Sequence, residues 1–480
     1  MKKENLRKTK IVCTIGPASE SEDVLTELIK TGMNVARINF SHGSYEDNEE
    51  KIATIKRVRD ALGQPIPMCL DTKGPEIRTG NQESGDEKVE IKEGQTFTFL
   101  YEDEIGNETK TSISYKGLYE DVHPGSTILV DDGALEFRVD KIEGKDIVCT
   151  AMNTARLGSR KTVNVPGLKL NLPALSEKDI KDLTDSVKAG FDYIFASFVR
   201  RADDIRQIRK VLDDNGGQHI KIIAKIESQE GIDNFEEILE LADGIMVARG
   251  DMAVEIPYEQ VPVVQKHFIK RCNEVGKPVI TATQMLESMS SSPRATRAEV
   301  SDVANACYDR TSAVMLSGET AMGEYPALCV ETMDKIAEAV EDHLRYWKRF
   351  SHVELDMSRD NIKQHVAYIA TATAKNLEAD AIVVYTHTGT SARLLAGMGP
   401  GCPILAITDD EKTYRHLGLV WNVHPIYIGG KESIDATIEA GIEALKENIL
   451  EKGDLVIISG GAKILNSNSE NQVIDGVLKI

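Results

Sequence analysis

Residues 221–257 read KIIAKIESQEGIDNFEEILELADGIMVARGDMAVEIP, and the order of apolar runs and turn signals in this stretch decides the fold. Ile222, Ile223 and Ala224 form a run too short for a helix. Ser228 stands at an N-cap position, and Ile232, Phe235, Ile238, Leu239 and Leu241 recur at helical spacing. After Asp243-Gly244 a second apolar run, residues 245–248, stops at Arg249-Gly250-Asp251. A strand–helix–strand crossover makes the two strands parallel, so Lys225 and Glu227 at one strand end and Asp251 at the next converge on one edge. Two carboxylates there suit magnesium, with substrate completing its coordination, and the lysine suits a phosphoryl group or a developing enolate. Gly250, without a Cβ, lets a ligand approach the amides closely. The alternative is an ion pair that caps the sheet.

Outward from this unit, strand and helix alternate. Residues 9–16 and 34–41 read as strands, with a helix over 19–30 closed by Gly32 between them. A helix from Ser44 carries Ile52, Ile55, Val58 and Leu62 on one face and stops at Gly63; residues 67–73 form a third strand. The texture then changes. Between residues 74 and 167 short alternating segments (KVEIK, TFTFL, STILV, ALEFRV) are separated by Glu93-Gly94, Pro124-Gly125, Asp132-Gly133 and Glu143-Gly144, with no helix predicted. The alternation resumes at Ser176. Helices over 179–189, 258–275 and 298–308, one through Ile205 and Val211, and one from Pro326 follow or precede strands at 193–199, 278–285 and 313–318. Counted together, eight strands each lead into a helix, the order of a (β/α)8 TIM barrel. The predicted domains are the barrel (1–73 and 168–350), an inserted small β domain (74–167), and a C-terminal α/β unit with a mainly parallel sheet (351–480), entered through a polar linker at 351–361.

The chain has 480 residues, 41% hydrophobic and 28% charged, as expected of a soluble protein with two or three cores. Its net charge of -20 argues against nucleic acid or an anionic membrane as a partner. The seven cysteines are scattered and never spaced as C-x-x-C, which predicts small core residues in a reducing compartment. The basic start, MKKENLRKTK, lacks a signal peptide's apolar stretch, and no run is long enough to span a bilayer, so a cytoplasmic location is expected.

Barrel enzymes place their chemistry at the C-terminal ends of the strands. Here those ends carry Arg37, Asn39, Ser41 and His42; Asp71, Thr72 and Lys73; Lys225 and Glu227; Arg249 and Asp251; Thr283 and Gln284. Together with KIVCTIGPAS, NVARINFSHG, LDTKGPEIRTG, LVDDGALEF, GSRKTVNVPG, IIAKIES, GIMVARGDMAVEIP, TATQMLESM, TRAEVSDVANACYDR and AVMLSGETAMGEYP, in that order, they make the chain resemble the pyruvate kinase family over essentially its whole length.

The resemblance implies transfer of the phosphoryl group of phosphoenolpyruvate to ADP, giving pyruvate and ATP. It implies that Lys225 stabilises the phosphoryl group and the enolate, that Glu227 and Asp251 bind Mg2+ (or Mn2+), and that the Gly250 and Asp251 amides with the Thr283 hydroxyl grip the substrate carboxylate. Arg37 contacts the phosphate on this reading. Asn39, Ser41, Asp71 and Thr72 match a K+ site, with His42, Arg78 and Asn39 on the nucleotide side. Glu76 matches a position where glutamate accompanies a need for a monovalent cation and lysine replaces it. The resemblance also implies that residues 74–167 are a small β-barrel lid domain carrying Asp132, whose closure excludes water. A homotetramer is implied as well.

The chain departs from the family pattern at Arg294-Ala295-Thr296, in the hinge segment NTARL (153–157), and in the C-terminal loop GGAKILNSNSENQ. The turn Thr386, His387, Thr388, Gly389, Thr390, Ser391 suits a phosphate of an allosteric effector at a helix start, or is a hydroxyl-rich cap without ligand. Two other classes compete with phosphoryl transfer: a magnesium-dependent enolpyruvate or aldol-type lyase, which needs neither lid nor K+ cluster, and a non-catalytic scaffold, which needs none of the rim groups.

Overall fold

The computed structural model describes residues 6–41, 43–85, 87–353, 361–460 and 474–480. Eight parallel strands, Lys10–Thr14, Val35–Asn39, Met68–Asp71, Tyr193–Ala196, Lys221–Ile226, Gly244–Ala248, Val279–Ala282 and Ala313–Leu316, close into a barrel. Each pairs with the next in the chain, and the last returns to the first through Lys10 opposite Ala313. The third and fourth pair across the long insertion, Asp71 opposite Phe195, so the insertion leaves the barrel register intact.

Helix limits follow side-chain caps. Ser44 and Asp47 form a capping box at the head of Tyr45–Leu62, and Gly63 ends that helix at φ 60°. The helix expected over 19–30 begins later, at Glu22 with Ser21 as its cap, because Ser19 is buried against the Gly16 amide. The helix expected after Ser228 is broken into Gln229–Asp233 and Phe235–Leu241: Asn234 between them donates its amide to the Arg200 carbonyl at 2.9 Å. Residues 249–255 hold a short helix that apolar periodicity did not reveal, and the following helix starts at Val261, with a proline in its first turn, instead of at 258. At the departure from the family pattern, Thr296 and Glu299 form a capping box for Arg297–Tyr308.

Within residues 74–167 six strands form one sheet, and Val89–Ile91 pairs separately with Ala155–Leu157. Single bridges from Arg78 to Thr162 and from Thr79 to Ile113 join both edges of the six-stranded sheet, which therefore curls round on itself. Phe97, Phe99 and Phe137 fill its centre with ring centroids 5.0 to 5.3 Å apart. One helical turn, Leu118–Asp121, is present where none was predicted; four residues are too few for a periodicity to register.

The C-terminal sheet has five strands in the order Val423–Tyr427, Ile404–Thr408, Ala381–Tyr385, Leu455–Gly460, Ile474–Lys479, parallel except for the last pair. Of the expected linker, residues 354–360 lie outside the described residues, as do 461–472 of the C-terminal loop. All seven cysteines are buried. Among the described residues no helix is long and apolar enough to cross a membrane.

The barrel is not sealed by its own strands. Leu419, from the single turn Leu417–Leu419 of the C-terminal unit, is fully buried among Val12, Val35, Tyr193, Ile223 and Ile280 inside the barrel. Around it Arg415 pairs with Asp192 at 2.7 Å and the Tyr193 hydroxyl donates to the His416 carbonyl at 2.8 Å. A Cβ at Gly418 would meet the Pro65 carbonyl at 2.3 Å, so only glycine lets the turn come this close. Truncating Leu419 to alanine leaves a cavity that the rigid strands cannot close. Leu419→Ala is expected to cost about 2–5 kcal/mol, measured as a lowered thermal midpoint by calorimetry; an unchanged midpoint would show that the floor does not depend on this side chain.

Candidate active site

The third strand delivers Asp71, 1% exposed, to the rim opposite Asn39 of the second. Its Oδ2 accepts from Arg37 Nε at 2.6 Å; its Oδ1 accepts from Lys225 Nζ at 3.0 Å and from the Ser197 hydroxyl at 3.1 Å. Arg37 also donates to Thr14 Oγ1 at 2.7 Å, and Lys225 to Ser197 Oγ at 2.7 Å. Four strands are thus tied together by one carboxylate. Burial alone would raise the Asp71 pKa, but Arg37 and then Lys225 outweigh it and hold the carboxyl below its usual range. Burial likewise opposes charge on Lys225, and Asp71 and Glu227 more than offset it, so the ammonium is retained.

Glu227, 1% exposed, accepts the Phe198 amide on Oε2. Its Oε1 lies 3.1 Å from Lys225 Nζ but has no aligned hydrogen bond. Burial pushes its pKa up to about 7, against the pull of Lys225 and with the help of the Asp251 charge. A buried carboxylate oxygen short of a donor, beside a second carboxylate, is the environment a divalent cation relieves. Among the described residues no three His, Cys, Asp or Glu side chains gather as a metal cage; a cation held by Glu227 and Asp251 would leave its other positions to substrate and water.

Asp251 sits in the first turn of Arg249–Glu255, not at a strand end as the sequence suggested. Thr283 and Gln284 have left-handed backbones, φ 70° and 52°, uncommon for residues with a Cβ. Arg249 holds that turn, donating to the carbonyls of Ala282 and Thr283 while pairing with Asp302 at 2.7 Å; its place is structural. The Gly250 amide, read as a carboxylate donor, here donates to Thr283 Oγ1 at 2.8 Å. Arg37, Asn39, Lys225, Glu227, Asp251 and Thr283 line one cleft of about 280 Å3, with Thr14 and Ser317.

The other candidates are placed around this cleft. The Asn39 side chain accepts the Ser41 amide at 3.0 Å, and Thr72 Oγ1 accepts the Ser197 amide at 3.1 Å. His42 lies outside the described residues. Arg78 stands at the root of the insertion, bound through both Nε and Nη2 to Glu76 at 2.8 Å. Asp132 accepts the Thr162 hydroxyl at 2.9 Å within the insertion, and Asn164 of the insertion donates to Glu255 of the barrel at 2.7 Å.

In the C-terminal unit Gly389, φ 79°, occupies the N-cap of Thr390–Met398, and no side chain caps that helix. Thr388 and Thr390 meet each other at 3.1 Å, Ser391 follows in the first turn, and Arg393 folds back to the Thr388 carbonyl and the Thr390 hydroxyl, each at 3.2 Å. Thr386 is buried at the end of its strand. The hydroxyls therefore leave the first amides of the helix uncapped.

Ser197 and Thr14 were missed by sequence reasoning. Each is an ordinary polar residue at a strand end, and only the closed barrel brings it against Lys225 or Arg37. Ser317 and Glu319 were quoted only as a motif; Glu319 accepts the Ser317 amide at 2.7 Å and shapes the end of the eighth strand.

A closed barrel whose C-terminal rim gathers an ammonium, a guanidinium and two carboxylates in one cleft defines a barrel enzyme suited to an anionic substrate. Residues 6–330 match the family profile described as "Pyruvate kinase, barrel domain", and residues 364–474 the profile "Pyruvate kinase, alpha/beta domain". The chain belongs to the pyruvate kinase family. It is 48% identical to the pyruvate kinase of Clostridium acetobutylicum over 470 residues, covering 98% of this chain and 99% of that one. It is 47% identical to the enzyme of Clostridium perfringens over 459 residues, 95% and 96% of the two chains. A solved pyruvate kinase structure from Cryptosporidium parvum superposes with a TM-score of 0.92 at 37% identity, over 99% of this chain and 97% of that one.

Ser197 gives this geometry its own test. Ser197→Ala removes a hydrogen bond from both Lys225 and Asp71, and turnover is expected to fall about tenfold, the equivalent of roughly 1.4 kcal/mol. Steady-state kinetics check it; an unchanged kcat assigns Ser197 to packing alone.

Proposed function

We propose that the rim of this barrel transfers the phosphoryl group of phosphoenolpyruvate to ADP, with pyruvate and ATP as products. The observation that carries the reading is Lys225, kept charged between Asp71 and Glu227 beside a buried carboxylate oxygen short of a donor. The bond between phosphorus and the enol oxygen breaks as a β-phosphate oxygen of ADP bonds to phosphorus, and a proton delivered to carbon turns the enolate into pyruvate. Such a transfer is chiefly positioning and charge neutralisation.

Arg37, fixed by Thr14 and Asp71, binds the phosphate. Lys225 reaches both the phosphoryl group in flight and the enolate oxygen. The Thr283 hydroxyl and the Gly250 and Asp251 amides hold the substrate carboxylate, which takes over the bond that Gly250 now gives to Thr283. A divalent cation, Mg2+ or Mn2+, held by Glu227 and Asp251, supplies the remaining positive charge. K+ belongs with Asn39, Ser41, Asp71 and Thr72. Asp71 accepts three hydrogen bonds of about four its carboxylate can take, leaving Oδ2 room for a weak ligand. His42, Arg78 and Asn39 receive the nucleotide. Residues 74–167 act as the lid that keeps water from the phosphoryl group, residues 1–73 and 168–350 as the catalytic unit, and residues 351–480 as the regulatory unit of a cytoplasmic homotetramer.

An assay of phosphoenolpyruvate and ADP coupled to lactate dehydrogenase tests the reaction itself and separates it from a lyase or a scaffold. Lys225→Met is expected to lower kcat by several orders of magnitude with substrate affinity changed far less, corresponding to roughly 3–5 kcal/mol of transition-state stabilisation. A variant keeping more than about a tenth of the turnover would remove Lys225 from its role.

Glu76, engaged on both oxygens by Arg78, leaves the nucleotide side short of fixed positive charge. Activity is therefore expected to be low without K+ or ammonium, and Glu76→Lys, which adds a cation and frees Arg78, to restore part of it. Full activity in tetramethylammonium buffer would end the K+ assignment.

The uncapped helix start at Gly389 fits a single phosphate better than a bisphosphate. A monophosphate, AMP or a sugar phosphate, is expected to lower the half-saturating phosphoenolpyruvate concentration through a coupling of about 1–3 kcal/mol. Thr388→Glu and Ser391→Glu are expected to abolish the shift, read by titrating each ligand against the saturation curve; a shift that survives both places the ligand elsewhere.

A further inference from the structure

Arg310 stands in the turn between the helix Arg297–Tyr308 and the eighth barrel strand, where the barrel meets the C-terminal unit, and its setting is unfavourable in two ways. Its backbone is left-handed, φ 66°, although it carries a long side chain. Its guanidinium is buried with no carboxylate facing it: the ionisable groups around it are Tyr346 and Arg349. Burial pushes its pKa down to about 10, so it remains a cation at neutral pH. A buried cation without an anion persists only where dipoles replace the missing charge.

Those dipoles come from the C-terminal unit. Nη2 donates to the Gly397 carbonyl at 2.9 Å and the Ala396 carbonyl at 3.1 Å, in the last turn of Thr390–Met398, so the cation sits at the negative end of that helix. The guanidinium carbon also lies 5.1 Å from the ring centre of Trp421. Gly399 ends the helix at φ 69°, and a Cβ there would run into the guanidinium, so glycine is what admits Arg310. The barrel grips the same helix end from a second side. A Cβ at Gly397 would meet the Asn273 carbonyl at 2.5 Å, and the Asn273 side-chain amide donates to the Arg310 carbonyl at 3.2 Å.

On its other side Arg310 leads to the catalytic cleft. Thr311, fully buried, accepts the Thr281 hydroxyl at 2.9 Å, and Ser312 Oγ accepts the Val279 amide at 3.0 Å. The strand Ala313–Leu316 follows, buried throughout, and ends at Ser317, which lines the cleft with Lys225 and Thr283. One helix therefore has an uncapped start at Gly389 and a clamped end at the root of a strand that reaches the rim. Its backbone bonds make it move as a unit, so a displacement at Gly389 is felt at Arg310.

We propose that Arg310 is the positioning residue that couples the helix Thr390–Met398 to the catalytic cleft: it clamps the helix's last carbonyls at the root of the eighth strand, so that phosphoenolpyruvate at the rim and a phosphate at Gly389 each strengthen the binding of the other. The proposal rests on reading the Gly389 end of the helix as regulatory. Coupling of this kind is reciprocal, so it is measurable from the catalytic side with no effector present.

Amide hydrogen exchange of the full-length protein reads the coupling. Phosphoenolpyruvate with Mg2+, added without ADP, is expected to slow exchange in residues 394–399 at least about fivefold. In Arg310→Met, which keeps the aliphatic stem and removes the donors, the ratio of free to bound rates is expected to fall to about one. A clamp that only stabilised the helix would, when removed, speed exchange equally with and without substrate and leave that ratio unchanged. Peptides covering Lys225 and Glu227 report that phosphoenolpyruvate is bound in each protein, and thermal melts that each is folded. Should Arg310→Met not fold, Arg310→Gln, which also lacks the guanidinium, takes its place. No slowing in the parent protein, or slowing that survives loss of the guanidinium, overturns the proposal. If the slowing is lost with Arg310 but no monophosphate shifts the substrate saturation curve, the coupling stands and only the effector assignment falls.

Discussion

Asp71 is a carboxylate taken out of water and surrounded by cations, and the rest of the rim follows from that arrangement. A buried charge is tolerable only when it is paired and hydrogen-bonded. Asp71 meets the requirement by holding Arg37 from the second strand, Lys225 from the fifth and Ser197 after the fourth. Removing Arg37 or Lys225 would leave this buried charge only partly paired, so the barrel must close in one register for the carboxylate to be satisfied. The same bonds fix two cations at the place where an anionic substrate arrives, and pre-set charges of this kind spare the reorganisation that water would require.

Glu227 complements this centre. Asp71 is depressed by cations already present, whereas Glu227 is raised by burial and holds one oxygen without an aligned donor. Two carboxylates a few ångströms from one lysine thus have opposite demands, one satisfied within the fold and one turned toward what binds. The left-handed turn at Thr283 and Gln284, braced by Arg249, brings a hydroxyl to the same cleft at some conformational expense.

The barrel was legible because its strands are short, mostly apolar and end in or lead into polar and charged residues, and because Ser44, Gly63 and Ser176 mark helix limits by local chemistry. Lys225, Glu227 and Asp251 could be gathered from one crossover for the same reason. What could not be read was non-local or too short to be periodic. The helix break at Asn234 depends on the Arg200 carbonyl, the short helix at Arg249 has too few turns to show a period, and Ser197 gains significance only from Asp71, far away in the chain. The hydroxyl-rich turn at Thr386–Ser391 reads as a cap, yet the backbone gives that position to Gly389.

Leu419 closes the barrel from the far end of the sequence, and Lys10 of the first strand, buried beside it, donates to the Val423 carbonyl at 2.8 Å. A nascent chain emerging from the ribosome therefore completes all eight strands well before the residues that stopper them exist. Until Leu419 is translated, the end of the barrel lined by Val12, Val35, Ile223 and Ile280 stands without its stopper. Biosynthesis of this enzyme thus includes an interval in which the apolar floor of its barrel has no cover from its own chain, and a version ending at the barrel's last helix would keep that floor uncovered.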